Sequence, residues 1–317
     1  MSTDRHKISR TFPAYGVVGL LLLLGTLACS LFDHWNPAQS AIAHRVSTFT
    51  TAGCWWGYIL FVDAWIHRIQ GHSLLSDRRR TFWLMLPLSI VFWVSFEVYN
   101  FHLRNWHYEG LSAHYAERII ASGIAFATVL PGVFLTAEWL EAVGLFRRLR
   151  TAPVRVTSKL LYTCVFFGSV GIVVPLLMER EVAKYMFAFV WLGFVFLLDP
   201  LNYANGQPSL LGDLERGSFT RVASLFVAGL LCGLWWESWN YLAATKWVYD
   251  APFTPGITIF EMPLAGFLGF GPFGWELYAM YHFARTIDRS SLGRPQREIR
   301  LDQPDSLREP PWVDRTQ

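Results

Sequence analysis

The chain has 317 residues, of which 53% are hydrophobic and 16% aromatic, with 15 Trp and a formal net charge of +3. A water-soluble domain of that composition would leave too much apolar surface in solvent, so a soluble enzyme is excluded and a bilayer is the expected environment. The small positive balance calls for no nucleic-acid partner.

Apolar runs long enough to cross a hydrocarbon layer of about 30 Å follow one another at 15–32, 49–66, 81–101, 119–145, 160–177, 185–201, 221–243 and 257–283. The pattern predicts an all-α, polytopic integral membrane bundle of about eight transmembrane helices. The first run is followed by no small-residue cleavage site, which predicts an uncleaved signal anchor. Of the 27 Lys and Arg, 21 fall on the N-terminus, on the loops after the second, fourth and sixth runs with Arg221 at the first residue of the seventh counted among them, and on the C-terminus. The positive-inside rule then predicts that both termini are cytoplasmic, in a membrane such as the bacterial inner membrane. Cys29, Cys54, Cys164 and Cys232 all lie inside apolar runs and read as packing residues.

A shift of 136 residues lays WWGYILFVDAWIHRIQGHSLLSD on WLGFVFLLDPLNYANGQPSLLGD, pairing Trp55 with Trp191, Asp63 with Asp199, Ser73 with Ser209 and Asp77 with Asp213. A shift of about 140 pairs Glu97 with Glu237, Asn100 with Asn240, Trp106 with Trp247 and Tyr108 with Tyr249; a slightly smaller one pairs Glu138 with Glu276. Corresponding runs are four apart, so two parallel four-helix repeats are expected, related by a pseudo-twofold along the membrane normal. The expected organisation is an N-terminal cytoplasmic segment (1–14), a first repeat (15–146), a basic linker (147–158), a second repeat (159–285) and a polar, Arg- and Pro-rich tail (286–317) too poor in apolar residues to fold.

A charged side chain at mid-bilayer costs about 2.5–3.5 kcal/mol on insertion scales, so intramembrane carboxylates are candidates for function and face the protein interior. Glu97 and Asn100, like Glu237 and Asn240, share a helix face at i, i+3. Trp106, Tyr108, Trp247 and Tyr249 fall where interfacial aromatic belts sit and carry N–H and O–H groups able to reach those carboxylates. Glu261 is expected to open the eighth run on this same side, completing one cluster. A second cluster, towards the cytoplasm, holds Asp63, Asp199, Glu138, Glu276 and His282. The competing readings are local satisfaction of Asp63 and Asp199 at helix ends and, for Glu97 and Glu237, an interhelical polar lock. Asparagine stands three after each of these two glutamates, where a dinuclear carboxylate site would carry histidine, so no metal or other cofactor is expected. Pro131 and Gly132, and Gly269, Gly271, Pro272 and Gly274, are expected either to break the fourth and eighth runs around a cavity or to serve close helix packing.

An acid late in a span, then W-x-Y, then a Pro-containing span with glutamate, present twice across 55–145 and 191–283, resembles the membrane domains of heterodimeric-type lycopene cyclases. The resemblance implies short helical bundles whose intramembrane acids protonate an isoprenoid double bond. Glu97 and Glu237 match the acid before W-x-Y, while Glu138 and Glu276 lie near the family's Pro-x-Glu-Glu; neither half has that adjacent acid pair.

The expected function is therefore a membrane-embedded enzyme acting on a long apolar lipid or isoprenoid by carboxylate general acid–base catalysis. Its candidate catalytic residues are Glu97, Glu237, Glu138 and Glu276; Asn100, Asn240, Trp106, Tyr108, Trp247, Tyr249 and Glu261 are candidates for holding substrate. Burial in apolar surroundings favours the neutral carboxyl that a proton donor requires, and aromatic faces stabilise a developing cation. The alternatives are an accessory subunit binding a lipid, pigment or quinone beside a membrane-protein partner, and a proton-coupled transporter.

Overall fold

A computed structural model describes residues 11–250, 252 and 257–292, with side chains as far as Thr286; the chain is mostly helical. Before the linker come α1 (Ala14–Trp35), α2 (Ala41–Ser47), α3 (Thr50–Gln70), α4 (Leu74–Asp77), α5 (Arg79–Leu103), strand β1 (Trp106–Glu109), α6 (Tyr115–Phe126) and α7 (Val129–Ala142). After it come α8 (Ser158–Leu177), α9 (Arg180–Ala183), α10 (Phe187–Ala204), α11 (Leu210–Glu215) and α12 (Thr220–Leu242). The strands β2 (Lys246–Tyr249), β3 (Thr258–Ile259) and β4 (Met262–Pro263), one turn of 3₁₀ helix and α13 (Phe267–Leu292) close the described chain. Residues 286–292, expected to belong to the unfolded tail, continue α13, while the segment 1–10 and the rest of the tail, 293–317, lie outside the described residues.

Six helices among the described residues are long and apolar enough to cross a membrane: α1, α5, α6 with α7, α8, α10 and α12. This is an integral membrane protein. Helix α3 has the length, at 21 residues, but carries Asp63, His67 and Arg68 in its second half.

Local chemistry sets the breaks. Helix α3 stops at Gly71, whose φ of 81° suits a residue without Cβ. The fourth run breaks at Ala127–Thr128 and not at Pro131–Gly132. Pro131 falls in the first turn of α7, where its missing N–H leaves no bond unmade. Ser89 Oγ bridges the break, donating to the Phe126 carbonyl at 2.5 Å and accepting from Leu130 N–H at 2.9 Å. Gly132 admits the Trp55 ring, which a Cβ there would meet at 2.8 Å.

The eighth run departs furthest from expectation. Its first residues, 257–263, form the β3–β4 hairpin with Ile259 opposite Met262. Glu261 lies at that hairpin's turn and not at a helix start, because Phe260 takes a left-handed φ of 57° and Pro263 lacks an N–H to continue a helix. Helix α13 then runs unbroken through Gly269, Gly271, Pro272 and Gly274. Those glycines serve close approach: a Cβ on Gly274 would overlap the Leu225 carbonyl of α12, and one on Gly271 the Phe226 ring.

The helices pack α1 on α3, α3 on α7, α8 on α10 and α10 on α13, while α12 touches both α7 and α13. Trp55 of α3 is fully buried at this junction, its ring centroid 4.8 Å from that of Trp236 and 4.9 Å from that of Trp239. The wholly helical expectation is corrected by two short ribbons, and the longer one organises the site. β1 pairs antiparallel with β2, Trp106 opposite Tyr249 and Tyr108 opposite Trp247.

Candidate functional site

The β1–β2 ribbon closes one end of the bundle, where α5 and α12 finish and α10 and α13 begin. Two asparagines fasten it. Asn100 Oδ1 accepts from the backbone N–H of Asn105 and Trp106, and its Nδ2 donates to the Trp106 carbonyl. Asn240 makes the same clamp on Trp247, accepting from its N–H at 2.9 Å and donating to its carbonyl at 2.8 Å. Both amides thus fix strand geometry.

One helical turn earlier on each helix stands the glutamate. Glu97 Oε1 accepts from Tyr108 OH at 2.5 Å, Trp93 Nε1 at 2.9 Å and Trp106 Nε1 at 3.3 Å. Glu237 Oε1 accepts from Tyr249 OH at 2.7 Å, and Trp247 Nε1 donates to that hydroxyl at 2.9 Å while also lying against the carboxylate. Glu237 has no exposed surface, and its Oε2 has no hydrogen-bond partner. Burial first, then the carboxylate beside each, pushes the Tyr108 and Tyr249 hydroxyls well above the ordinary phenol range, so both remain O–H donors.

Below the ribbon lies a cavity of about 540 Å³. Its walls are largely aromatic, with Trp93, Trp191, Trp236, Phe270 and Phe273 among them, and Glu237, Tyr108 and Tyr249 border it. Trp93 and Trp236 come from the two halves with ring centroids 6.5 Å apart. A chamber of this size and lining takes an apolar chain and leaves most polar ligands undersolvated.

The other predicted residues are held elsewhere. Glu138 does not border the cavity; it is buried in an ion pair with Arg78 at 2.5 Å. Glu276 is fully buried beside the Phe194 backbone, one turn along α13 from the cavity residue Phe273. Asp63 accepts from Tyr15 OH, Ser73 Oγ and Leu75 N–H, and Asp199 from Leu210 and Leu211 N–H, so each caps the short helix that follows it. Glu261 does not line the cavity; it pairs at 2.5 Å with Lys246, which does. Among the described residues no group of three or more His, Cys, Asp or Glu side chains is arranged to hold a metal ion.

No family model, curated protein or solved structure matches the chain. The site therefore rests on its own geometry. Sequence reading passed over Trp93, whose signal was its place four residues before Glu97 on the same helix face.

Proposed function

We propose that this protein is a membrane-embedded enzyme that binds a long apolar, isoprenoid-like chain in the aromatic cavity and acts on it by acid–base chemistry at Glu237. The observation that carries the reading is a buried carboxyl with one unpartnered oxygen at the wall of an aromatic chamber inside a bilayer protein. Such a group costs stability, which makes it a candidate for function. In the proposed reaction Glu237 gives its proton to one carbon of a substrate double bond, whose π electrons form the new C–H bond. The cation left on the other carbon faces the Trp and Phe rings. A second double bond closes on it, and loss of a proton from a neighbouring carbon to the carboxylate regenerates the acid. Nothing is oxidised or reduced.

We place α3 and α13 with the six apolar helices as spans seven and eight, arranged as two parallel copies of four. The matched Asn clamps, the paired Asp caps and a ribbon that sets each W-x-Y against the other support this layout. The distribution of Lys and Arg supports cytoplasmic termini, which puts the ribbon on the outer face. The resemblance to lycopene cyclase membrane domains supports the substrate class.

The test is gentle purification with mass spectrometry of the co-purifying lipid, followed by conversion assays with that lipid. Wild type converts it and Glu237→Gln does not. A bound lipid that comes through unchanged in both would leave the cavity as a carrier site and overturn the catalytic part.

A further inference from the structure

The cavity lining is largely apolar, yet three cations border it, each from a different element: Arg118 on α6, Lys184 between α9 and α10, and Lys246 on β2. A pure hydrocarbon needs none of them. Lys246 holds Glu261 at 2.5 Å, and Lys184 holds Glu181 at 2.6 Å. Arg118 lies over the Tyr115 ring at 5.6 Å and has no carboxylate partner among the described residues. Glu117, which also lines the cavity, is engaged by Arg45 and by Ser112 Oγ at 2.6 Å.

The Lys184 pair is solvent-accessible, with the Glu181 side chain 71% exposed. Such exposed pairs are weak, so a multivalent anion replaces this one at little cost. A phosphate offers several acceptor oxygens and up to two charges, which suits one guanidinium and two ammonium groups arriving from separate directions. Neutral headgroups would leave Arg118 without a partner.

We propose that the ligand is an amphiphile with a phosphate or diphosphate headgroup, bound by Arg118, Lys184 and Lys246 while its tail fills the aromatic cavity. This rests on the cavity reading given above. It is tested on the full chain in phosphatidylcholine nanodiscs by titrating a C20 prenyl monophosphate and the corresponding C20 alcohol, with tryptophan quenching as readout. The phosphate is expected to bind at least tenfold more tightly. In the triple variant R118Q/K184Q/K246Q that preference is expected to vanish while the alcohol binds as in wild type, which also shows that the variant is folded. Inorganic phosphate at the concentration of the prenyl phosphate is expected not to displace it. Equal affinity for the two probes, or a preference that survives in the triple variant, overturns the headgroup site alone. Displacement by inorganic phosphate overturns it in favour of a free-anion site. Binding of neither probe overturns the cavity reading and the proposal with it.

Discussion

Glu97 and Glu237 occupy like positions on α5 and α12, one turn before an asparagine clamp, yet one is saturated and the other is not. Glu97 takes three donors on a single oxygen. Glu237 takes the Tyr249 hydroxyl, with the Trp247 indole beside it, and its second oxygen is buried without a hydrogen-bond partner. The difference traces to a residue four positions earlier. Trp93 supplies an indole N–H to Glu97, but the corresponding position before Glu237 is Gly233, and a side chain there would strike the Phe270 ring. Glycine thus withholds a donor and seats a cavity wall at once. One local motif thus yields either a carboxyl held by three donors or one with an open oxygen, depending on a single residue one turn away.

The sharpest way to break this comparison is to neutralise each acid in turn. Glu237→Gln is expected to lower lipid conversion by about 10²–10⁴-fold, the span of general acid catalysis, and Glu97→Gln by less than tenfold. Conversion assays on both variants decide it, and the reverse ranking would assign the chemistry to Glu97. A second large effect lies away from the cavity. Arg78→Ala strands Glu138 as an uncompensated buried charge and is expected to cost about 3–5 kcal/mol of stability, read by thermal unfolding in detergent, with turnover per folded molecule unchanged.

Finer resolution comes from the tyrosines. Tyr249→Phe removes the hydroxyl that Glu237 accepts from and that Trp247 N–H donates to, for an expected loss of about 1–3 kcal/mol. Tyr108→Phe leaves Glu97 two indole donors and is expected to cost less; paired unfolding curves check the order. The smallest effect concerns the ribbon's outer edge. The Asp250 carboxylate at 2.5 Å raises the proton affinity of His107, opposed by slight desolvation. A raised folded-state value means that this contact stabilises fully below the ordinary histidine value of about 6.5 and is lost as pH rises through the folded-state value. Both groups are about half exposed, so salt is expected to flatten the trend. A pH series of melting temperatures for wild type and His107→Ala measures it.

Much of the scaffold was legible because apolar runs and helix length are tied to bilayer thickness. The helices at 14–35, 79–103 and 220–242 fall where hydropathy put them. The ribbon was not legible, since its W-x-Y strands read as interfacial aromatics until each finds a partner about 140 residues away. Likewise, 257–266 reads as membrane helix by hydropathy, and only the left-handed Phe260 and the imino nitrogen of Pro263 turn it into a hairpin. The glycines of α13 carry no sign in the sequence of whether they break a helix or admit a neighbour; the facing atoms belong to α12. Within the site, which acids exist was readable. Which of them lacks a donor depends on Gly233 and on packing from a distant helix.

The ribbon also bears on how the molecule comes together. Each of its strands would present an open backbone edge if its half of the chain stood alone, and the Asn clamps hold both edges in the shape that accepts the other. A chain cut in the 147–157 connection therefore keeps a specific, directional means of rejoining, because the seam between the pieces is stitched by main-chain hydrogen bonds at the far end from the cut.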